Sequence, residues 1–316
     1  MANDIAEQGV VLVVDLNKCV GCQACAVACK VWWTSKEKGA EHAWWLITET
    51  RPGSGYPKNW IEKSRRGERQ SPEDYEPENV FRYENLINNP TGEIPPKITP
   101  DPAPSWGPNW EWDQGDGETP EDAWFFYMPI QCMHCEDAPC EISCPTHAIY
   151  RREEDGVVMT DPQLCMSCQS CFEACPYRRV FWNQYSGNPS KCIMCQPLVE
   201  KGDIPICVKA CTARARFFGR LEDTGSSVYV LIKEYGVAIP LFPQFNTKPR
   251  IRYIPPVMLP PRPDGNPRYD GKYLEDLFGK DVWKVRDVLE SERKRGSGSR
   301  LIRVLTGYTL EKNKRW

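Results

Sequence analysis

Residues 165–176 read CMSCQSCFEACP and contain the most informative pattern of the chain, four cysteines spaced C-x2-C-x2-C-x3-C and followed by proline. The chain of 316 residues has 16 cysteines, which fall into four groups of four. The first and third groups have the compact spacing, whereas the second and fourth have a longer middle segment. The groups are Cys19, Cys22, Cys25 and Cys29; Cys132, Cys135, Cys140 and Cys144; Cys165, Cys168, Cys171 and Cys175; and Cys192, Cys195, Cys207 and Cys211.

The cysteine content indicates metal ligation rather than disulfide bonding. Residues 1–8 contain no basic segment, apolar run or twin arginine, so we expect synthesis in a reducing cytosol without an export signal of the chain's own. Structural disulfides are rare there. Zinc is a poor alternative, because two C-x2-C pairs complete one zinc site and leave the third cysteine of the compact spacing unused. No group contains the C-x2-C-H pattern of covalent haem attachment.

The compact spacing is that of bacterial ferredoxins, in which three cysteines of a group bind one iron–sulfur cluster and the fourth binds the neighbouring cluster. Pro145 and Pro176 follow groups two and three as that pattern expects, whereas Lys30 and Thr212 follow groups one and four. Only residues 145–164 separate groups two and three, and they predict two strands joined by a turn. We therefore predict one two-cluster module from groups two and three, with groups one and four pairing around it.

Exchange of the fourth cysteine within each module predicts four 4Fe–4S sites. Site 1 is Cys19, Cys22, Cys25 and Cys211; site 2 is Cys192, Cys195, Cys207 and Cys29; site 3 is Cys132, Cys135, Cys140 and Cys175; and site 4 is Cys165, Cys168, Cys171 and Cys144. Because every iron of four such clusters would have a cysteine ligand, we expect no open iron for substrate chemistry. That argues against a self-contained reductase.

The predicted fold class is α+β, with two nested bacterial-ferredoxin-like modules. The predicted parts are an outer module of residues 10–34 and 180–225, an irregular insertion of residues 35–124, an inner module of residues 125–179 and a C-terminal extension of residues 226–316.

Local patterns predict individual elements within these parts. Residues 10–14 predict a first strand at a sheet edge, and residues 217–219 a strand returning to it. Residues 29–33 predict a short helix. Helices are also expected over residues 226–235, 273–278 and 282–295, whereas residues 254–263 are proline-rich and predict extended chain.

The tryptophans of the insertion lie in a proline-rich stretch that cannot be helix or central strand. They are Trp106, Trp110 and Trp112. We expect an ordered, irregular segment with these rings in local packing, and contact with a partner as the alternative.

Several functional classes are excluded or disfavoured by composition. A net charge of -3, from 40 basic and 43 acidic residues, argues against nucleic-acid binding. No apolar run approaches the roughly 18 residues that span a bilayer. We find no phosphate-binding glycine loop, nucleophile elbow or general acid–base pair, so no catalytic site of its own is expected. His134, between two cysteines, is expected to be solvated or hydrogen-bonded near a cluster rather than a ligand.

The chain resembles the four-cluster iron–sulfur β subunits of the dimethyl-sulfoxide-reductase superfamily of molybdenum enzymes. It is most similar to the branch of nitrate, perchlorate, chlorate and selenate reductases and of dimethylsulfide and ethylbenzene dehydrogenases. The resemblance covers residues 13–256 and is strongest at residues 15–19, 49–53, 175–179 and 191–195, which read DLNKC, ETRPG, CPYRR and KCIMC.

The resemblance implies an electron-transfer subunit between a molybdopterin catalytic α subunit and a haem b γ subunit. Site 1 would face the molybdenum subunit and site 4 the haem. Nitrate reductases of this branch have tryptophan at the second cysteine of the third group, which leaves a 3Fe–4S cluster. That position is Cys168 here, so we expect four 4Fe–4S clusters and a subtype other than nitrate reductase, with site 4 as the one place for a 3Fe–4S alternative.

Other assignments within the same class are a four-cluster subunit of a formate dehydrogenase, hydrogenase or polysulfide reductase. Those relatives often have a C-terminal transmembrane helix or lack the segment at residues 49–53. The resemblance also implies periplasmic location through co-export with a partner that has a twin-arginine signal. The cytoplasmic face of the membrane is the alternative.

Overall fold

The computed structural model describes residues 6–36, 38–39, 42–75, 124–259, 261–262 and 265–307. Its elements are short and mixed, in agreement with the predicted α+β class. The strands are β1 (Val10–Asp15), β2 (Leu46–Arg51), β3 (Phe126–Gln131), β4 (Ile149–Arg151), β5 (Val158–Thr160), β6 (Phe181–Asn183), β7 (Asn188–Ser190), β8 (Arg216–Arg220), β9 (Ile239–Pro240) and β10 (Ile251–Ile254).

The helices lie mostly beside the cysteine groups and in the C-terminal part. The α-helices are α1 (Ala24–Cys29), α2 (Trp60–Arg65), α3 (Pro139–Ile142), α4 (Ser170–Ala174), α5 (Gln196–Val199), α6 (Ile206–Lys209), α7 (Ser227–Tyr229), α8 (Gly271–Phe278), α9 (Asp281–Arg295) and α10 (Arg300–Thr306). Turns of π-helix extend α1 over Lys30–Thr34 and α7 over Val230–Glu234. Short 3₁₀ turns are Pro72–Asp74, Pro243–Phe245 and Gly296–Gly298.

The largest sheet has the strand order β8-β1-β10-β9. Strand β8 pairs antiparallel with β1, with Leu12 opposite Phe218, as the sequence predicts for a returning strand. Strand β10 pairs parallel with β1 on its other side, with Leu12 opposite Ile251. The prediction of an edge position for β1 is therefore wrong. Its residues are all buried, and a run that is apolar on both faces suits an interior strand.

The insertion is more regular than its composition predicts. Strand β2 pairs antiparallel with β3 over six residues, from Leu46 opposite Gln131 to Arg51 opposite Phe126. Trp60 of α2 is fully buried. The described part of the insertion therefore contributes a strand pair and a core aromatic ring, and the expectation of an irregular segment is wrong there. The predictions for Trp106, Trp110 and Trp112 lie outside the described residues.

One hairpin and the C-terminal helices follow the sequence closely. Strands β4 and β5 pair antiparallel, as predicted for the segment between groups two and three. Ser226 caps α7 by accepting a hydrogen bond from the amide of Tyr229 at 3.1 Å. Helix α9 has Asp281 in its first turn and three basic residues in its last, an arrangement that stabilises both ends of the helix dipole. Within the described ranges, no helix is long and apolar enough to span a bilayer.

Candidate metal centres

Three cavities of the molecule are each lined by four cysteines drawn from two different groups. Every one of these sets matches a predicted site. The cavity of site 1 is lined by Cys19, Cys22, Cys25 and Cys211, that of site 2 by Cys29, Cys192, Cys195 and Cys207, and that of site 4 by Cys144, Cys165, Cys168 and Cys171. Each set takes three cysteines from one group and the last cysteine of another, as the exchange pattern of two-cluster ferredoxins requires.

The remaining four cysteines also lie together. Burial raises the pKa of the Cys135 thiol, and the neighbouring residues Cys132, Cys175 and Cys140 raise it further. All four side chains are buried, which separates this set from solvent more fully than sites 1 and 4. The fold thus brings together the four cysteines predicted for site 3.

Helices that contain cysteines pack in pairs beneath these sites. Helix α1, which ends at Cys29, packs against α6, which contains Cys207. Helix α3, which contains Cys140, packs against α4, which contains Cys171. Groups one and four therefore meet at one helix pair, and groups two and three at the other.

The loops around the second cysteine of each group share one backbone feature. The residue before that cysteine is left-handed in all four groups, with φ of 67° at Gly21, 44° at His134, 61° at Ser167 and 54° at Met194. A side chain at Gly21 would also meet the ring of Tyr127 at 2.5 Å, so glycine is required there. Turns of this kind direct successive amide groups into one concavity, a geometry found at many iron–sulfur sites.

Backbone amides approach several of the cysteine sulfurs. The amide of Ala215 donates to Sγ of Cys211 at 3.2 Å, and the amide of Met194 to Sγ of Cys192 at 3.4 Å. The amide of Arg179 lies 3.5 Å from Sγ of Cys175. Donors at a thiolate stabilise its negative charge and raise the reduction potential of an attached cluster.

Burial keeps most of these thiols protonated when no metal is bound. It raises the pKa of Cys19 and of Cys171 to about 12, with a smaller contribution from neighbouring cysteines. The thiols at the exposed side of site 4 differ. Hydrogen bonds from Ser170 lower the pKa of Cys168, and at Cys144 amide donors outweigh the effect of burial and lower the pKa. Iron binding must therefore displace protons from buried thiols.

A mononuclear metal does not fit this arrangement. All 16 cysteines are free thiols. Within the part of the chain that the structure describes, no three cysteine, histidine, aspartate or glutamate side chains lie close enough to hold a single ion. Cysteines that surround a cavity without converging on one point fit a cluster, whose four iron atoms each take one cysteine.

Four further residues at the sites were not recognised from the sequence as functional. Arg216 lines the cavity of site 1, and Gln131 and Trp33 line that of site 2. The indole N–H of Trp33 donates to Sγ of Cys195 at 3.2 Å. Lys191 is buried next to Cys192. For Arg216, Trp33 and Lys191 the available signal was a basic or aromatic residue close to a cysteine group, but only packing shows which of these residues are buried.

His134 is fully buried, so the expectation of solvation is wrong, whereas that of a hydrogen bond is confirmed. Its Nδ1 accepts from the amide of Val158 at 3.1 Å. Burial lowers the pKa of the ring, which is therefore neutral. Its Nε2 has no hydrogen-bond partner among the described residues.

Comparison with known proteins agrees with these sites. Residues 123–221 match the family described as "4Fe-4S dicluster domain". The selenate reductase β subunit of Thauera selenatis is 38% identical over 96% of this chain and 98% of its own. The dimethylsulfide dehydrogenase β subunit of Rhodovulum sulfidophilum is 39% identical over 94% and 95%, respectively. The respiratory nitrate reductase β subunit of Haloferax mediterranei is 40% identical over 96% and 92%.

Fold, sites and similarity together define an iron–sulfur protein whose cofactors are 4Fe–4S clusters. The chain belongs to the family of iron–sulfur β subunits of the dimethyl-sulfoxide-reductase type that includes these relatives. Because relatives named for selenate, dimethylsulfide and nitrate share the family, membership gives the type of subunit and not a substrate.

Proposed function

We propose that this chain transfers electrons through four 4Fe–4S clusters as the non-catalytic β subunit of a molybdenum oxidoreductase. The observation that supports this most directly is the grouping of the cysteines. Each of the three cavities is lined by three cysteines of one group and one of another, and the four cysteines that remain are those proposed for site 3. The 16 cysteines are the proposed iron ligands, in the four sites defined above.

The sites follow one another in numerical order. Arg216 at site 1 donates to Gln131 of site 2 at 2.6 Å. Lys191 lies 3.1 Å from the carbonyl oxygen of Cys192 at site 2 and 3.9 Å from Sγ of Cys132 at site 3. Helices α3 and α4 join sites 3 and 4. Each site is thus linked to the next by one side chain or one helix pair, which supports electron transfer from site 1 through site 4.

The two terminal sites have the exposed surfaces that partners would need. Cys22 of site 1 and Cys168 of site 4 are exposed, in contrast to every cysteine of site 3. Exposed apolar side chains near site 1 in sequence are Val20, Val27, Val31 and Trp32. Those near site 4 are Ile142, Leu164, Met166 and Tyr185. Apolar and aromatic side chains at exposed positions are typical of the centre of protein interfaces.

We assign site 1 to a molybdopterin catalytic α subunit and site 4 to a haem b γ subunit, as the family resemblance implies. We also propose that the two ferredoxin-like modules are nested, with residues 10–34 and 180–225 around residues 125–179. The packing of α1 on α6 and of α3 on α4 supports that division.

The test is affinity purification of the native complex followed by metal analysis. We expect molybdenum in the co-purified partner and no substrate turnover by the isolated chain. The isolated chain should show only reversible bleaching of cluster absorption on reduction. Nickel instead of molybdenum would support a hydrogenase assignment, and turnover by the isolated chain would contradict a non-catalytic role.

A further inference from the structure

Two buried basic side chains lie between consecutive sites. Arg216 is 5% exposed and Lys191 is 2% exposed. Arg216 lies between sites 1 and 2, and Lys191 between sites 2 and 3. Neither forms an ion pair with a carboxylate among the described residues. The buried Arg51, by contrast, is paired with Glu49. A buried charge without a counterion is costly, so these two require an anion close by.

The contacts of Arg216 leave part of its guanidinium unused. One nitrogen donates to Oε1 of Gln131 at 2.6 Å, and Nε and Nη1 are buried without a partner among the described residues. A guanidinium stays protonated in proteins, and this one lies within electrostatic reach of Cys207 and Cys25. Those two cysteines belong to different sites.

Lys191 has a similar position one step further along. Its ammonium group donates to the carbonyl oxygens of Val158 and Cys192, the second at 3.1 Å. Sγ of Cys132 lies 3.9 Å away. The neutral carbonyl groups satisfy hydrogen bonds but leave the charge uncompensated. The nearest anionic groups would be the cysteine sulfurs of sites 2 and 3.

Site 4 has no such residue. None of the described residues that line its cavity is charged. At site 3, Arg179 lies near Cys175, but it is within 3.7 Å of a carboxylate oxygen of Glu49 and so has a counterion. The uncompensated buried charges therefore occur at the first two gaps between sites and are missing at the third.

We infer that Arg216 and Lys191 are positioning charges that set the reduction potentials of the clusters on either side of them. This inference rests on the four-site assignment of the proposed function. A 4Fe–4S cluster with four cysteinates is anionic and gains one negative charge on reduction. A nearby cation stabilises the reduced state more than the oxidised state, and burial strengthens that effect. Arg216 would raise the potentials at sites 1 and 2, and Lys191 those at sites 2 and 3.

The test is potentiometric titration followed by EPR, with Arg216→Met and Lys191→Met compared with the parent chain. The titration should resolve four EPR signals, one for each cluster. Each variant should lower the reduction potential of two of these four components by about 59 mV, which corresponds to a tenfold change in the reduced-to-oxidised ratio of a one-electron couple. The potential of one component should fall in both variants, because site 2 adjoins both cations. The potential of another component should change in neither variant, because site 4 adjoins neither cation. This pattern can be read without assigning any component beforehand.

Charge and packing are separated by further variants. Arg216→Lys retains the positive charge, so it should keep the potentials close to those of the parent chain. Gln131→Glu should lower the potentials of the same two clusters as Arg216→Met, while Arg216 remains in place. Lys191→Gln should reproduce the shift of Lys191→Met. Lys201→Met, which replaces an exposed lysine, is the control and should leave all four reduction potentials unchanged.

Iron and sulfide analysis distinguishes failure of this inference from failure of the proposed function. A parent chain with fewer than four clusters would contradict the four-site assignment. Fully loaded variants with unchanged potentials would contradict the inference alone. If every Lys191 variant loses iron, its role is structural and its part of the inference is overturned, whereas Gln131→Glu still decides the part of Arg216.

Discussion

The indole N–H of Trp33 lies 3.2 Å from Sγ of Cys195 and donates a hydrogen bond to it. Trp33 also stacks on Trp45, with ring centroids 6.3 Å apart and planes inclined by 20°. The stack holds the indole in place against site 2. A tryptophan in the turn that follows the first cysteine group thus acts on a cysteine of the fourth group.

Trp33→Phe should lower the potential of the site 2 cluster, because it removes a donor to a ligand sulfur while an aromatic ring remains on Trp45. We expect a shift on the order of 59 mV or less for the one-electron couple. The measurement is an EPR-monitored titration. Trp32→Phe is the control, since Trp32 is 56% exposed, and equal shifts in both variants would contradict a specific role for the hydrogen bond.

Anaerobically isolated protein should contain about 16 iron and about 16 acid-labile sulfide atoms per chain, because four complete cysteine sets each hold a four-iron cluster. Chemical analysis and EPR of fresh protein provide the measurement. A stoichiometric 3Fe–4S signal in unoxidised protein would show that one site lacks a ligand.

Cys168→Ala should convert the site 4 cluster to 3Fe–4S and raise its potential, because it removes one iron ligand at an exposed position. The other three clusters should persist. Met166→Ala is the matched control, since Met166 is an exposed side chain of the same loop and not a ligand. Four intact 4Fe–4S clusters in Cys168→Ala would contradict the ligand set proposed for site 4.

Glu49→Gln should destabilise the protein by about 3–5 kcal/mol, because it leaves Arg51 and Arg179 buried without a counterion. Glu49 is 1% exposed, and it also accepts hydrogen bonds from the amide of Tyr56 and the indole of Trp60. The midpoint of urea-induced unfolding, followed by loss of cluster absorption, should fall. Glu62→Gln, at an exposed position of α2, should leave it nearly unchanged, and equal effects of the two variants would exclude a special role for the buried network.

The location of the chain should depend on its partner. We expect the chain in the periplasm of normal cells and in the cytoplasm when the partner's twin-arginine pair is replaced by two lysines. Cell fractionation with immunodetection provides the measurement. Periplasmic chain in the absence of that signal, or cytoplasmic chain in normal cells, would contradict co-export and favour the cytoplasmic face of the membrane.

The sequence by itself determined the cofactor type, and it was sufficient to predict the number of sites and the cysteines proposed for each. Cysteine spacing is informative because three ligands of a cluster come from one short loop, so local sequence defines most of each site. The sequence also predicted the hairpin of β4 and β5 and the capped helices. Turns and caps depend on residues only a few positions apart, so local sequence is again sufficient.

Tertiary structure decided what depends on distant neighbours. The interior position of β1 required β10, more than 230 residues later, and the pairing of β2 with β3 crosses the insertion. The burial of Arg216 and Lys191, and the contact of Trp33 with Cys195, likewise depend on packing between separate segments. A basic or aromatic residue beside a cysteine has the same local sequence whether it faces solvent or a cluster. Only the burial that surrounding segments impose makes its charge or hydrogen bond strong enough to act on a neighbouring site.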